Sequence, residues 1–208
     1  MSNISTSVDA GDSEHEKSAP ADRATSGPFD ENEAGAIKPS VDLGSLRIEP
    51  RRGMLLRLEV DKTKDRVVAV TLESYGSTLQ LQPFAAPRSS GLWHGIRAQI
   101  EAQIKTQGGT VTQVDGPFGP ELKAVVPVQA EGKYGTRAVR FVGIDGPRWF
   151  LRAVIGGDAA TDDGAAEAMY SIIHSVVVVR GDTPMPPRDL LPLRVPPASG
   201  DAETQGAG

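Results

Sequence analysis

The sequence contains no cysteine among its 208 residues. Disulfide bonds, thiolate metal sites and cysteine nucleophiles are therefore excluded. Histidine is also scarce, because His15, His94 and His174 are the only three and form none of the spacings typical of zinc or iron sites. We expect neither a bound metal nor any other cofactor.

Long apolar runs are absent as well. The longest unbroken aliphatic stretch is Val176–Val179, whereas a helix needs about 18 apolar residues to cross a membrane. The residues that follow Met1 are polar and lack the apolar segment of a secretory signal. We therefore expect a soluble protein without membrane contact, and the absence of cysteine agrees with a reducing cytoplasm.

The sequence also lacks the motifs of common catalytic sites. No serine stands in a G-x-S-x-G or S-x-x-K pattern, and no glycine-rich stretch matches a dinucleotide-binding or Walker pattern. Three carboxylates in predicted strands, Glu59, Glu73 and Glu121, occupy outward positions, which is typical of a solvated sheet face. The sequence therefore favours a protein that is not an enzyme.

Charge is distributed unevenly along the chain. Residues 1–40 carry eight acidic and three basic side chains, and residues 189–208 carry three acidic and one basic, so the middle is close to neutral. Residues 1–38 and 198–208 offer no apolar face to offset the entropy lost on ordering. We therefore predict a disordered acidic tail over 1–38, a single domain over 39–182 and a disordered tail over 198–208.

Residues 183–197 have a different composition, with six prolines among apolar side chains. Proline excludes a helix or an inner strand, because it lacks the backbone N–H that these structures use. Since Leu190, Leu191 and Leu193 are apolar, we predict an extended strap that lies over the surface of the domain.

Between these ends, most apolar residues alternate with polar ones, a period of two that predicts β-strands. Three such runs over 54–84 predict an antiparallel meander. The runs Ala138–Ile144 and Trp149–Ile155 flank a short turn and predict a hairpin. Further strands are predicted at 111–114, 121–128 and 176–179.

Two segments have the spacing of helices instead. Leu92, Ile96, Ile100 and Ile104 recur every four residues and predict an amphipathic helix that ends near residue 108, and a second helix is predicted over 164–174. We therefore expect an α+β fold, with an antiparallel sheet of about seven or eight strands and two helices packed on it.

Five segments of the sequence together carry a family resemblance: DLGSLR (42–47), FAAPRSSGLW (84–93), GPFGPEL (116–122), GIDGPRWFLR (143–152) and VVVVRGDTPMPPRDLLPL (176–193). They resemble an actinobacterial family of proteins of unknown function that is numbered 3710. This resemblance implies no activity, cofactor or catalytic residue, because none is established for that family. The order of elements is also similar to Mog1/PsbP-like folds, a likeness that implies architecture only.

The candidate binding surface consists of arginines: Arg51, Arg52, Arg140, Arg148 and Arg152. Arg140 and Arg152 occupy the polar positions of the two strands of the predicted hairpin. If Arg140 lies opposite Val154, the two arginines share one face of the sheet. Such a basic stripe binds phosphate or an acidic protein, or it pairs with acids of the chain itself, including its acidic tail.

Three functions remain open at this point. The first is a non-catalytic module that binds another protein, and the second is a nucleic-acid-associated accessory protein that uses the arginine stripe. The low pI of 5.3 and the few aromatic residues make nucleic acid the less favoured partner. The third is a small enzyme with a site in the loop before the first helix, at Arg88, Trp93 and His94.

Overall fold

The computed structural model describes residues 16–35, 40–130 and 132–196. Within these ranges the chain forms two β-sheets and three α-helices. The helices are α1 (Arg23–Ser26), α2 (Trp93–Thr106) and α3 (Asp163–Ser175). The strands are β1 (Phe29–Asp30), β2 (Val41–Asp42), β3 (Leu46–Ile48), β4 (Leu55–Asp61), β5 (Arg66–Ser74), β6 (Ser77–Ala85), β7 (Thr110–Gly116), β8 (Gly119–Ala130), β9 (Lys133–Asp145), β10 (Trp149–Gly157) and β11 (Val177–Val178).

The larger sheet has seven antiparallel strands in the order β4-β5-β6-β10-β9-β8-β7. The predicted meander is β4–β6, the predicted hairpin is β9–β10, and α2 and α3 are the two predicted helices. The α+β fold with an antiparallel sheet is therefore confirmed. The likeness to Mog1/PsbP-like folds stays a prediction.

The second sheet is small and has the order β1-β11-β3-β2. Its strand β11 lies within the all-valine run Val176–Val179, which the sequence predicts to be the last strand. Val177 and Val178 pair in parallel with β1 and antiparallel with β3, so β11 is enclosed on both edges. Val177 and Val178, which point to opposite faces, are both buried, and this explains why the run shows no alternation between apolar and polar residues.

The two long helices cover opposite faces of the larger sheet. Helix α3 begins at Asp162, whose side chain accepts a hydrogen bond from the Ala165 backbone N–H, a normal N-terminal cap. Its buried residues, which include Met169 and Ile173, pack on the main core. Helix α2 packs on the other face, where Trp93 and Phe150 are completely buried and their rings stack at 6.0 Å.

The register of the β9–β10 hairpin differs from the prediction by one residue. Arg140 lies opposite Ile155 rather than Val154, because the Gly146 N–H donates to the Trp149 carbonyl oxygen and closes a shorter turn. A one-residue shift exchanges the faces on which side chains lie. Arg140 therefore faces α3, whereas Arg152 faces α2, and the prediction of a shared face is wrong.

Residues 16–35 also differ from the expectation, which placed them in a disordered tail. The Arg23 guanidinium lies over the Trp149 ring at 5.5 Å and forms a salt bridge to Glu33 at 2.6 Å. The Asp30 carboxylate accepts a hydrogen bond from Trp149 Nε1 at 3.0 Å. This segment is part of the domain because Trp149 offers it both an apolar face and a donor. The rest of the predicted tails, 1–15, 36–38 and 198–208, lies outside the described residues.

Residues 183–196 run over the surface next to β6 and the small sheet. The Leu191 N–H donates to the Pro83 carbonyl oxygen at 2.9 Å, and the Arg194 N–H donates to the Leu43 carbonyl oxygen at 2.9 Å. Leu191 is completely buried. The segment thereby links the two sheets. In the described part of the chain, no helix is both long and apolar enough to cross a membrane.

Candidate functional site

A polar cleft of about 540 Å³ lies between α3 and the strands β7, β8 and β9. Helix α3 covers only part of its sheet face, so the end of that face toward β7 stays open. Charged and polar side chains line the cleft, in contrast to the apolar core beside it: Asp115, Glu121, Lys123, Arg140, Asp163, Glu167, Tyr170, Ser171 and His174.

A chain of hydrogen bonds forms the floor of the cleft. Arg140 Nη1 donates to the Tyr170 hydroxyl at 3.2 Å, and that hydroxyl shares its one proton between the two oxygens of Glu121 at 2.9 and 2.8 Å. Arg140 Nη2 donates to Asp163 at 2.7 Å. The side chains of Arg140 and Glu121 are each only 2% exposed. Two buried opposite charges thus share a neutral hydroxyl, which is how buried ions are satisfied in proteins.

This environment shifts the ionisation of every member of the chain. Burial raises the pKa of Glu121, and the hydrogen bond from Tyr170 opposes that rise. Burial and the nearby Glu121 carboxylate raise the pKa of Tyr170 to about 12. Burial alone would lower the pKa of Arg140, but its hydrogen bonds to Asp163 and Tyr170 give a net increase. Tyr170 therefore stays a neutral donor at physiological pH.

The rim of the cleft is acidic. Glu167 lines it, and Asp115 lies at its edge on β7, where the Asp115 side chain alternates to the other face because Val114 and Gly116 are the β7 positions beside Glu121. Neither carboxylate forms a hydrogen bond or ion pair with any described residue. His174 lies in the last turn of α3, and its Nδ1 is within 2.9 Å of the Ser26 carbonyl oxygen, so this nitrogen carries the proton. The rim thus presents negative charge that the described residues do not neutralise.

Glu121 is the principal functional candidate that the sequence analysis missed. Its position in the strand predicted a solvated side chain, but α3 covers this part of the sheet and supplies Tyr170 as a partner. A signal was present in the pairing of β8 with β9, where Lys123 lies opposite Arg140. Two adjacent basic residues on one sheet face need an acid nearby, and Glu121 is two positions away on that face.

The five predicted arginines do not form one surface. Arg140 lies in the floor of the cleft, while Arg152 hydrogen-bonds to Gln82 on the opposite face of the sheet. Arg51 Nη2 donates to the Ser171 carbonyl oxygen at 2.7 Å, and Arg52 is exposed. Arg148 lies in the β9–β10 turn. The basic stripe expected across the sheet is therefore absent from the structure.

The predicted loop site is also divided. Trp93 is completely buried, and its Nε1 donates to the Pro120 carbonyl oxygen at 2.6 Å, so it anchors α2 on the sheet. His94 contacts Arg97 on the same helix at 3.5 Å. Arg88 is exposed and lines a different cavity, which it shares with Arg148. The structure therefore brings together Arg88 and Arg148, from two different candidate sites.

Within 16–35, 40–130 and 132–196, no group of three or more potential ligand side chains could hold a metal ion. No curated protein matches the chain. A family model matches residues 27–202, which is most of the sequence, and its description is "protein of unknown function (DUF3710)". The match covers all five segments from which the resemblance was recognised, and the chain belongs to the DUF3710 family.

Proposed function

We propose that the domain is a non-catalytic protein-binding module that holds an extended segment of its partner along β7. A basic side chain of that segment occupies the cleft. The observation that supports this proposal is the position of the acidic rim, which lies at an edge strand of the sheet. The cytoplasmic location expected from the sequence stays a prediction.

Strand β7 offers the backbone groups for such a contact. It is the last strand of the larger sheet and, among the described strands, pairs only with β8. An edge strand presents a row of backbone donors and acceptors, to which an extended peptide adds as a further strand. Val114, Asp115 and Gly116 of β7 line the cleft, so a strand added here lies beside it.

The charge of the cleft favours a basic side chain. Lys123 and Arg140 share Asp163, and Arg140 also lies 3.6 Å from Glu121, so these groups largely compensate one another. Asp115 and Glu167 are left over. A lysine or arginine of a partner in the cleft would neutralise Glu167 in a site that is partly shielded from water, where ion pairs are stronger than on an open surface.

The chemistry of the floor supports binding rather than catalysis. Both oxygens of Glu121 accept from the Tyr170 hydroxyl. With a pKa near 12, Tyr170 is a poor base and a poor nucleophile at neutral pH. The floor therefore serves as a fixed polar surface.

A nucleic-acid partner has less support than a protein partner. That alternative depended on the stripe formed by Arg140 and Arg152, which lie on opposite faces of the sheet. The uncompensated carboxylates at the cleft would repel a phosphate backbone.

The proposal can be tested by selecting displayed random peptides on the full chain. We expect the enriched peptides to contain a lysine or arginine among β-branched residues. Their affinity should fall by about tenfold or more for the double variant Asp115→Asn/Glu167→Gln, because a close charge pair is lost. Hydrogen exchange should show slower exchange of β7 amides when such a peptide is bound, since they then have a strand partner.

The matched control is the double variant Asp65→Asn/Glu101→Gln, which makes the same change in net charge. Asp65 lies in the exposed β4–β5 turn and Glu101 on α2, where it pairs with Lys105. Binding should be unaffected in this control. Enrichment of peptides without basic residues, or equal loss of binding in both double variants, would contradict the proposal.

A further inference from the structure

A second cavity, of about 350 Å³, lies apart from the cleft and collects arginines from three segments of the chain. Arg88 comes from the loop between β6 and α2, Arg148 from the β9–β10 turn, and Arg180 from the segment after β11. The remaining lining residues are Asp30, Glu31, Asn32 and Pro147. The folding of the whole domain is required to bring these three guanidinium groups together.

The three guanidinium groups have few partners among the residues that the structure describes. Arg88 forms no hydrogen bond or ion pair with any described residue. Arg180 Nη1 donates to the Thr183 carbonyl oxygen at 2.9 Å, but its Nε is out of contact with solvent and has no acceptor among those residues. Arg148 donates to the Gly181 carbonyl oxygen at 3.2 Å, and its ion pair among the described residues is with Asp182, which is 3.9 Å away and fully exposed.

The two carboxylates in the lining do not balance these charges. Asp30 already accepts hydrogen bonds from Trp149 Nε1 at 3.0 Å and from Asn32 Nδ2 at 2.8 Å. Glu31 accepts from the Gly181 N–H at 3.4 Å. Three cations therefore face two acids, both of which already accept hydrogen bonds from neutral donors. The lining has one more basic than acidic side chain, and Arg88 has N–H donors without a partner among the described residues.

We propose that this cavity binds the phosphate group of a small molecule. Guanidinium groups donate paired N–H groups that match the oxygens of a phosphate, and three of them surround it from different directions. The volume is in the range of small-molecule sites, so the cavity also holds part of the group that carries the phosphate. This site is separate from the peptide-binding cleft and does not depend on it.

The test is a titration of the full ¹⁵N-labelled chain with inorganic phosphate and, separately, with phenyl phosphate, monitored by NMR. The ionic strength is kept constant, with chloride as the balancing anion. We expect binding with a Kd on the order of 1 mM or below. The Nε–H signals of Arg88 and Arg148 should move downfield because these accessible guanidinium groups gain an acceptor. Benzoate, which replaces the phosphate of phenyl phosphate by a carboxylate, should bind more weakly.

Variants identify the site. Arg88→Ala and Arg148→Ala should each weaken phosphate binding about fivefold or more, because each removes a charge-assisted hydrogen-bond donor. Arg148→Lys keeps the charge but loses the paired donors, and it should also bind more weakly. Arg52→Ala, an exposed arginine outside the cavity, should bind as the wild type does.

Two results would overturn the proposal. One is the absence of phosphate binding up to about 50 mM, a concentration well above any useful site affinity. The other is equal weakening in Arg52→Ala and in the cavity variants, which would mean that only net charge attracts the anion. Because Arg88 is exposed and has no partner among the described residues, Arg88→Ala should fold normally, and loss of binding in it cannot be attributed to unfolding.

Discussion

Replacement of Tyr170 by phenylalanine tests the hydrogen-bonded floor of the cleft. The change removes one hydroxyl and keeps the ring, which packs edge-on against Phe118 at 6.1 Å. Glu121 loses a donor to both of its oxygens, and Arg140 loses an acceptor. Hydrogen bonds to charged groups contribute about 1.5–3 kcal/mol each. We expect the free energy of unfolding to fall by about 2–3 kcal/mol at neutral pH, since Arg140 keeps its bond to Asp163.

The stability lost in Tyr170→Phe should increase with pH. Glu121 has a folded-state pKa above its usual value of 4.5, so its contribution to stability is complete below that value and is lost as the pH rises through the folded-state pKa. The Tyr170 hydroxyl opposes this rise in the pKa. Without the hydroxyl, the folded-state pKa moves further up and the penalty for ionising the buried carboxylate increases. Urea denaturation at about pH 4.5 and about pH 8 measures the difference.

Two controls make the result specific. Tyr134 is 85% exposed, and Tyr134→Phe should change stability by less than about 0.5 kcal/mol. In a Glu121→Gln background, Tyr170→Phe should cost the same at both pH values, because the carboxylate that contacts the hydroxyl is gone and the pKa of Asp163 is held low by Lys123 and Arg140. If the single variant Tyr170→Phe shows no pH dependence, or costs no more than Tyr134→Phe, our account of the floor is refuted.

Three further predictions concern the packing of the domain. Gly143→Ala should lower the melting temperature, because its new Cβ would lie 2.2 Å from the Trp93 ring. The control is Gly35→Ala, whose new Cβ would have no atom within 4 Å. Equal melting temperatures for the two variants would contradict the packing described. Asp145→Asn should lower the free energy of unfolding by about 1–3 kcal/mol in urea denaturation, since an amide has one acceptor oxygen for the three backbone N–H groups that Asp145 binds. An unchanged urea midpoint would show that these hydrogen bonds do not stabilise the domain. A chain that starts at residue 36 should melt at a lower temperature than a chain that starts at residue 16, because it lacks the contacts that residues 16–35 make with Trp149. Identical melting temperatures for these two chains would show that residues 16–35 do not stabilise the domain.

The elements of the fold were predictable because they depend on local periodicity. Strands β4–β6 and the helices α2 and α3 each show a clear period of two or of nearly four, and their identity does not depend on how they are paired. The family was recognisable from five segments for a similar reason, since each segment can be read without knowledge of the structure.

The candidate sites depend on pairing and were less predictable. A turn that is one residue shorter than expected placed Arg140 and Arg152 on opposite faces of the sheet, although both strands had been assigned correctly. Glu121 has the sequence environment of a surface residue, and only the position of α3 reveals that it is buried. Residues 16–35 contain one aromatic side chain, and their order depends on Trp149, which is more than a hundred positions away in the sequence.

The enclosure of β11 between β1 and β3 has a consequence for the order of folding. The Gly181 N–H and the Glu31 carboxylate that meet beside this sheet are 150 positions apart in the chain. Contacts of such long range form late, because the entropy of closing the loop must be overcome before any contact stabilises it. During synthesis, β1 therefore stays unpaired until β11, its only strand partner among the described residues, has been made, and by then nearly all of the larger sheet has left the ribosome. As long as the segment that carries β1 is not docked, Trp149 lacks its contacts with Arg23 and Asp30, and the incomplete domain exposes more aromatic surface than the finished one.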